Sequence, residues 1–310
     1  MGNPLMEFMR KPELCVKLPS NGNWYEDGLI NYTLGGEVEV FPMLPKDELL
    51  MMNPDALLNG QANISLLKSC VPSIKDPSKL LYPDANVLFL AIQKATYGNT
   101  LTMSVKCPKC YDKALTMNSK EEIEEAEKNG EIMTHLQDVD FDISQILQSI
   151  TFMDKEYVEV LENGLKVYLQ PNTLGDKMEY GLMSFNQEKI VKAYKDYSYE
   201  ESLENEEKRK VMDELTKCYM KINDIGNKII TKCIQKIQLP DETFVTDERY
   251  IYEFVTQTKS SIINHLHEKI KKINDIGLPT TLTYNCQCCG HEWEEKMFGF
   301  NQVDFFGQGS

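Results

Sequence analysis

The sequence predicts an α+β protein. A mixed N-terminal domain carries one half of a zinc ribbon. A mainly helical module with a β-hairpin is inserted, and a short C-terminal piece returns to complete the ribbon. Three observations predict this. C-x-x-C occurs twice and far apart, as Cys107 and Cys110 in "VKCPKC" and as Cys286 and Cys289 in "YNCQCCGHEW". Each pair follows period-2 alternation, the mark of a strand: Leu101, Met103 and Val105 before the first, Leu282 and Tyr284 before the second. Between the pairs, apolar residues recur at spacings of three and four, as amphipathic helices require.

Along the chain, "CVKLPSNGNWY" alternates and then turns at Asn21-Gly22, a hairpin signal. "GEVEVFPM" alternates again. "PKDELLMM", "NPDALLNG" and "QANISLLKSCV" read as short helices broken by Pro and Gly. "ANVLFLAIQKATYG" reads as a buried helix, with Asp84 as N-cap and Gly98 as terminator. "NSKEEIEEAEKNG" is a charged, exposed helix or linker, and a domain boundary is drawn there. "KEYVEVLENGLKVYLQPNT" is a hairpin turning at Asn163-Gly164. Ser198 and Glu201 form a capping box before a helix that carries Val211, Leu215, Cys218, Ile222, Ile225, Ile229, Cys233 and Ile237. After Pro240, Thr246 caps a second helix, from Ile251 to Ile273, closed by Gly277; the two helices read as an antiparallel pair. "KINDIG" occurs at 221–226 and 272–277, but the flanks do not match, so the repeat reads as coincidence. The predicted division is 1–118, 119–277 and 278–310, the last packing with the first.

Each cysteine pair is expected at the tip of a hairpin. Two such knuckles facing each other offer four thiolates, a closed tetrahedral set that suits structural zinc. The alternative is ordinary turn cysteines without metal. Cys288 and His291 are spare candidate ligands. Catalytic zinc needs an open position, and Cys107, Cys110, Cys286 and Cys289 together leave none.

Composition narrows the function. The chain of 310 residues is 42 % hydrophobic, enough for a core. Lys and Arg number 33 against 48 Asp and Glu, a net charge of −15. Such a surface repels DNA and anionic membranes. No stretch approaches the roughly 18–20 apolar residues of a membrane span, and "MGNPLMEFMRKPEL" lacks the apolar core of a signal peptide. A cytoplasmic site of synthesis follows as an expectation, and there nine cysteines point to metal or free thiols before disulfides. No P-loop, G-x-S-x-G, H-E-x-x-H or dinucleotide fingerprint occurs, so no catalytic residue is nominated and an enzyme is not expected. The last stretch, "MFGFNQVDFFGQGS", carries Phe298, Phe300, Phe305 and Phe306. Phe298 and Phe300 continue the last strand and can pack back with Trp293. Phe305 and Phe306 are assigned to docking on a partner or a neighbouring subunit, because aromatic side chains make good interface anchors.

"LPSNGNWYEDGLI", "GEVEVFPMLPKDELLMMNPDALLNG", "LLKSCVPSIKDPSKLLYPDANVLFLAIQKATYG" and "VKCPKC" together resemble the baseplate hub and hub-assembly family of T-even-type contractile-tailed phages. The resemblance covers the first third, and extends weakly to "VYLQP" and the C-terminal 30 residues. It implies a structural component or assembly factor of the tail baseplate, with other tail proteins or further copies of itself as partners, assembled in the host cytoplasm. The competing reading is a zinc-ribbon protein associated with nucleic acid, against which the net charge and the acidic flank Glu292, Glu294 and Glu295 both count.

Overall fold

The computed structural model describes residue 5 and residues 9–117, 119–198 and 205–296. Strand β1 (Leu14–Val16) pairs antiparallel with β2 (Val38–Val40). Asn21 and Gly22 do turn with positive φ, but they do not join paired strands. No apolar alternation follows them; the chain instead packs the half-buried Trp24 and Tyr25 against the cores before it returns as β2. The short helices are α1 (Pro45–Met51), α2 (Pro54–Leu58) and α3 (Gln61–Cys70), as the Pro and Gly punctuation predicts.

Helix α4 (Tyr82–Tyr97) is the axis of the first core. Val87, Leu88, Phe89, Leu90, Ala91 and Ile92 have no exposed surface, and Gly98 ends the helix at φ 97°. Burying a side chain such as Phe89 contributes roughly 1.5–3 kcal/mol. Asp84 is not the N-cap. The helix starts three residues earlier than that cap would set it, with Leu81 at the cap and Pro83 in the first turn, where a missing N–H costs nothing. The Asp84 carboxylate turns inward instead, to Ser20 and Tyr25.

Next come β3 (Thr100–Val105), α5 (Pro108–Leu115), α6 (Lys120–Lys128), β4 (Gln137–Asp142) and α7 (Ile143–Gln148). The first cysteine pair is therefore not at a hairpin tip. Pro108 suits a first helical position and opens α5 directly, with Cys107 as N-cap and Cys110 and Ala114 on its buried face. Strand β3 finds its partner further on, in β4, from Thr100 opposite Asp142 to Val105 opposite Gln137. "QDVDFD" sends Val139 and Phe141 to the core, while Asp138 and Asp140 face out and accept from Ser104 and Thr102 at 2.5 and 2.6 Å. The boundary drawn at 118 falls inside this excursion. Val139, Phe141, Ile143 and Ile146 pack into the first core.

A second core takes Leu81 and then builds from Met153 onward. Strands β5 (Tyr157–Val160) and β6 (Lys166–Leu169) form the expected hairpin, with Gly164 at φ 82°. Helices α8 (Leu174–Ser198) and α9 (Asn205–Lys232) follow, then β7 (Ile234–Gln238), β8 (Phe244–Val245), α10 (Glu248–Gln257) and α11 (Ser260–Asn274). The sheet order is β5-β6-β7-β8, all antiparallel. Ile251, Val255, Leu266 and Ile270 from α10 and α11 fill the same core as the sheet's Val167, Leu169 and Ile237.

Several expectations need correction here. The helix expected to run through Ile237 ends at Lys232, because Ile237 gains a place opposite Val167 in the sheet, and burial overrides local spacing. The antiparallel pair is α8 with α9, sharing Val191, Val211, Leu215 and Cys218. Ser198 ends a helix rather than capping one, and Glu201 lies outside the described residues. Asp247, not Thr246, caps α10, accepting from the Arg249 N–H at 2.9 Å, and the single helix expected after it is two, broken at Thr258-Lys259. Among the described residues no helix is long and apolar enough to cross a membrane.

The two copies of "KINDIG" show how context decides. Gly226 lies inside α9, and a Cβ there would meet nothing within 4 Å. Gly277 follows α11 at φ +108°, and a Cβ there would come 2.9 Å from Pro19 Cγ. The same exchange should therefore act in opposite senses. Gly277→Ala is expected to cost about 2–4 kcal/mol through strain and overpacking. Gly226→Ala is expected to stabilise by about 0.5–1 kcal/mol through helix propensity. Urea midpoints of the two variants check this; equal shifts would contradict the assignment.

Candidate metal centre

The chain ends its described part in a hairpin, β9 (Thr281–Asn285) and β10 (Glu292–Lys296), with Trp293 opposite Tyr284. The second cysteine pair sits at its tip, as expected. Tyr284 fastens the hairpin to the first core. It is 1 % exposed, stacks on Trp293 at 5.6 Å and meets Phe141 edge-on at 5.2 Å. Leu282 is buried in the same core.

That anchoring brings the tip to the start of α5. The Sγ atoms of Cys107, Cys110, Cys286 and Cys289 all lie within 4.8 Å of one another. Cys107 and Cys289 are 3.7 Å apart, as are Cys110 and Cys286. A disulfide would need about 2.05 Å, so these are thiols. Zinc–sulfur bonds of about 2.3 Å in a tetrahedron set the sulfurs about 3.8 Å apart. Spacing and donor type both fit zinc, and these residues can hold a metal ion.

Local backbone shapes the knuckle. The Cys289 N–H points at Cys286 Sγ at 3.5 Å, and the Gly290 N–H donates to the Cys286 carbonyl at 2.9 Å. Gly290 takes φ +64°, which allows the chain to turn back so tightly. Burial pushes the Cys107 and Cys110 thiols up. Burial acts on Cys286 in the same direction, but the N–H groups of Cys289 and Cys288 and the adjacent thiols outweigh it and hold Cys286 down at about 7. One thiolate forms readily near neutral pH; more of them in so small a space need a cation among them.

Neither spare candidate joins the cluster. Cys288 Sγ points to the Gly130 carbonyl at 3.0 Å, and His291 stacks on Trp293 at 6.0 Å. Phe305 and Phe306, like Phe298 and Phe300, lie outside the described residues. Reading α6 as an exposed helix or linker missed its second face. Ile123 and Ala126, three apart in the acidic run, pack with Ile132 and Met133 over the cysteines. That spacing was the available signal. Ser119 caps α6 by accepting from the Glu122 N–H at 3.2 Å. Glu127 accepts from the Thr134 N–H at 2.9 Å, which holds the return loop against the helix.

The model of the T4 bacteriophage base plate protein family matches residues 9–307. The chain belongs to that family. The match takes in both cysteine pairs and the residues between them, well beyond the first third on which the resemblance rests. No curated protein and no solved structure is matched by the chain. A base plate protein works among other tail proteins, and its family suggests a role that is not enzymatic.

Proposed function

We propose that this base plate protein is a structural component or assembly factor of the tail baseplate, of hub type, that acts through protein–protein contacts. We further propose one structural zinc, held by Cys107, Cys110, Cys286 and Cys289. The observation that carries the first proposal is the family match across residues 9–307. The second is supported by the sulfur spacing and by the donor set. When bound, zinc supplies the charge that lets four thiolates share one small volume. Such an ion would tie the β3–α5 junction to the β9–β10 hairpin, the two places between which the inserted unit leaves and returns. In this reading that unit runs from about Met153 to Ile273, which carries all of the second core's buried residues except Leu81.

The protein's place is then the virion tail, reached after assembly in the host cytoplasm. Nucleic acid is a poor partner for it. Asp138 and Asp140 line one strand face, and Glu121, Glu122, Glu124 and Glu125 follow one another along α6. Phe305 and Phe306 are proposed as anchors to a tail partner. Deleting residues 303–310 should leave thermal stability nearly unchanged and abolish co-purification with tail proteins from infected cells. Unfolding of the shortened protein would mean that these aromatics belong to its own core. Co-purification unaffected by the deletion would place the contact elsewhere.

A further inference from the structure

Asp84 has no exposed surface. Its Oδ1 accepts from the Ser20 N–H at 2.9 Å, and its Oδ2 lies 2.5 Å from both the Ser20 hydroxyl and the Tyr25 hydroxyl. Tyr25 in turn accepts from the Leu81 N–H at 2.9 Å. No cation pairs with the carboxyl among the described residues. An ionised carboxylate here would have donors but no countercharge.

The place is as telling as the chemistry. Loop 18–25 touches both large cores, and Tyr25 packs against each. Pro19 accepts from the Met153 N–H at 2.8 Å. Trp24 donates to the Asp154 carbonyl at 3.1 Å and stacks on Tyr157 at 5.8 Å. Gly277, where the chain returns, abuts Pro19 and accepts from the Thr151 N–H at 2.9 Å. One loop thus touches both places where the chain passes between the cores, at 151–154 and 277, and Asp84 holds the loop. A separate seam joins 80–82 to 172–174, with the Tyr82 N–H donating to the Asn172 carbonyl at 2.8 Å and the Leu174 N–H to the Leu80 carbonyl at 2.7 Å.

We propose that Asp84, with Ser20 and Tyr25, is a proton-sensitive latch on the joint between the two cores, tight while Asp84 is neutral and loosened when it ionises. The hydroxyls of Ser20 and Tyr25 can donate or accept, so they serve both forms. Burial is what separates the two forms. It pushes the carboxyl up to about 6, against the pull of the Ser20 and Tyr25 donors. A released loop would return Asp84 to water and to the ordinary carboxylate range near 4. The latched state therefore binds the proton more tightly. Its advantage is full below about pH 4 and is lost as pH rises through about 6.

Other titratable groups face the site. Tyr32 lies further along the connection between β1 and β2, its phenol pushed up to about 12 by burial and then by the Asp84 charge. Tyr82 shares the first turn of α4, with Lys177 of α8 over its ring at 5.1 Å; burial, and then Asp275 after α11, raise its phenol. Both phenols, pushed up from the ordinary tyrosine range, stay protonated between pH 5 and 8.

Hydrogen exchange on the full metal-loaded chain, corrected for intrinsic rates, tests the latch between pH 5 and 8. Protection in segments 19–25 and 151–154 should fall by roughly tenfold across this range, with its midpoint between about pH 5 and 6, while 87–92 in α4 stays unchanged. Asp84→Asn should abolish the step. Tyr25→Phe, which removes one donor to the carboxylate and spares the packing, should move the midpoint upward, so the test survives if the Asn variant fails to fold. A flat profile in the native chain, an equal step in 87–92, a step that persists in Asp84→Asn, or an unmoved midpoint in Tyr25→Phe would overturn the proposal.

Discussion

Cys286→Ser is expected to release the metal and to lower stability by about 3–6 kcal/mol. Structural zinc binds small peptides with apparent free energies of about 10–16 kcal/mol, but here two large cores fold around the site and dilute its share. The loss should still be large. Cys286 and Cys110 are almost fully buried, so the ligands that remain cannot regain water without moving the hairpin. Cys288→Ser is the control. Its sulfur points away to Gly130, so the metal should stay and stability should shift by less than about 0.5 kcal/mol. Urea denaturation with elemental analysis of the same samples reads both effects. Equal losses from the two exchanges would contradict the ligand assignment.

Tyr284→Ala is the second large expected effect, a loss of about 3–5 kcal/mol. The ring lies between Trp293 and Phe141 in the first core, so its removal leaves a cavity under the hairpin. Cys286 is two residues further on, and the metal should leave faster on challenge with a chelator. Tyr284→Phe keeps the ring and should cost less than Tyr284→Ala, about 1 kcal/mol for the lost hydroxyl bonding, which includes the contact to Met103 Sδ at 3.6 Å. Unchanged chelator kinetics in Tyr284→Ala would separate the hairpin's packing from its grip on metal.

These effects were partly legible beforehand. The C-x-x-C pairs stand out because cysteine spacing is a short-range signal that chemistry constrains tightly. Helix α4 stands out because Val87 to Ile92 is apolar all round, and the β5–β6 hairpin because Asn163-Gly164 encodes a turn. Long-range pairing was not legible. Strand β4 carries a readable alternation in Val139 and Phe141, but nothing local says that β3 is its partner across α5 and α6. Cys233 and Ile237 lie four apart, which suits a helix, and only the sheet edge offered by Val167 makes the chain extend there. Asp84 looked like a cap because caps are commonly acidic; its partners lie in a loop 59 and 64 positions upstream. In each case the competing contact comes from distant sequence, which a local pattern cannot contain.

The zinc staple is tested most directly on purified full-length protein, by elemental analysis combined with X-ray absorption at the metal edge. One zinc per chain with sulfur neighbours alone, at about 2.3 Å, is expected. A metal-free protein, or zinc with nitrogen or oxygen in its first coordination sphere, would contradict it.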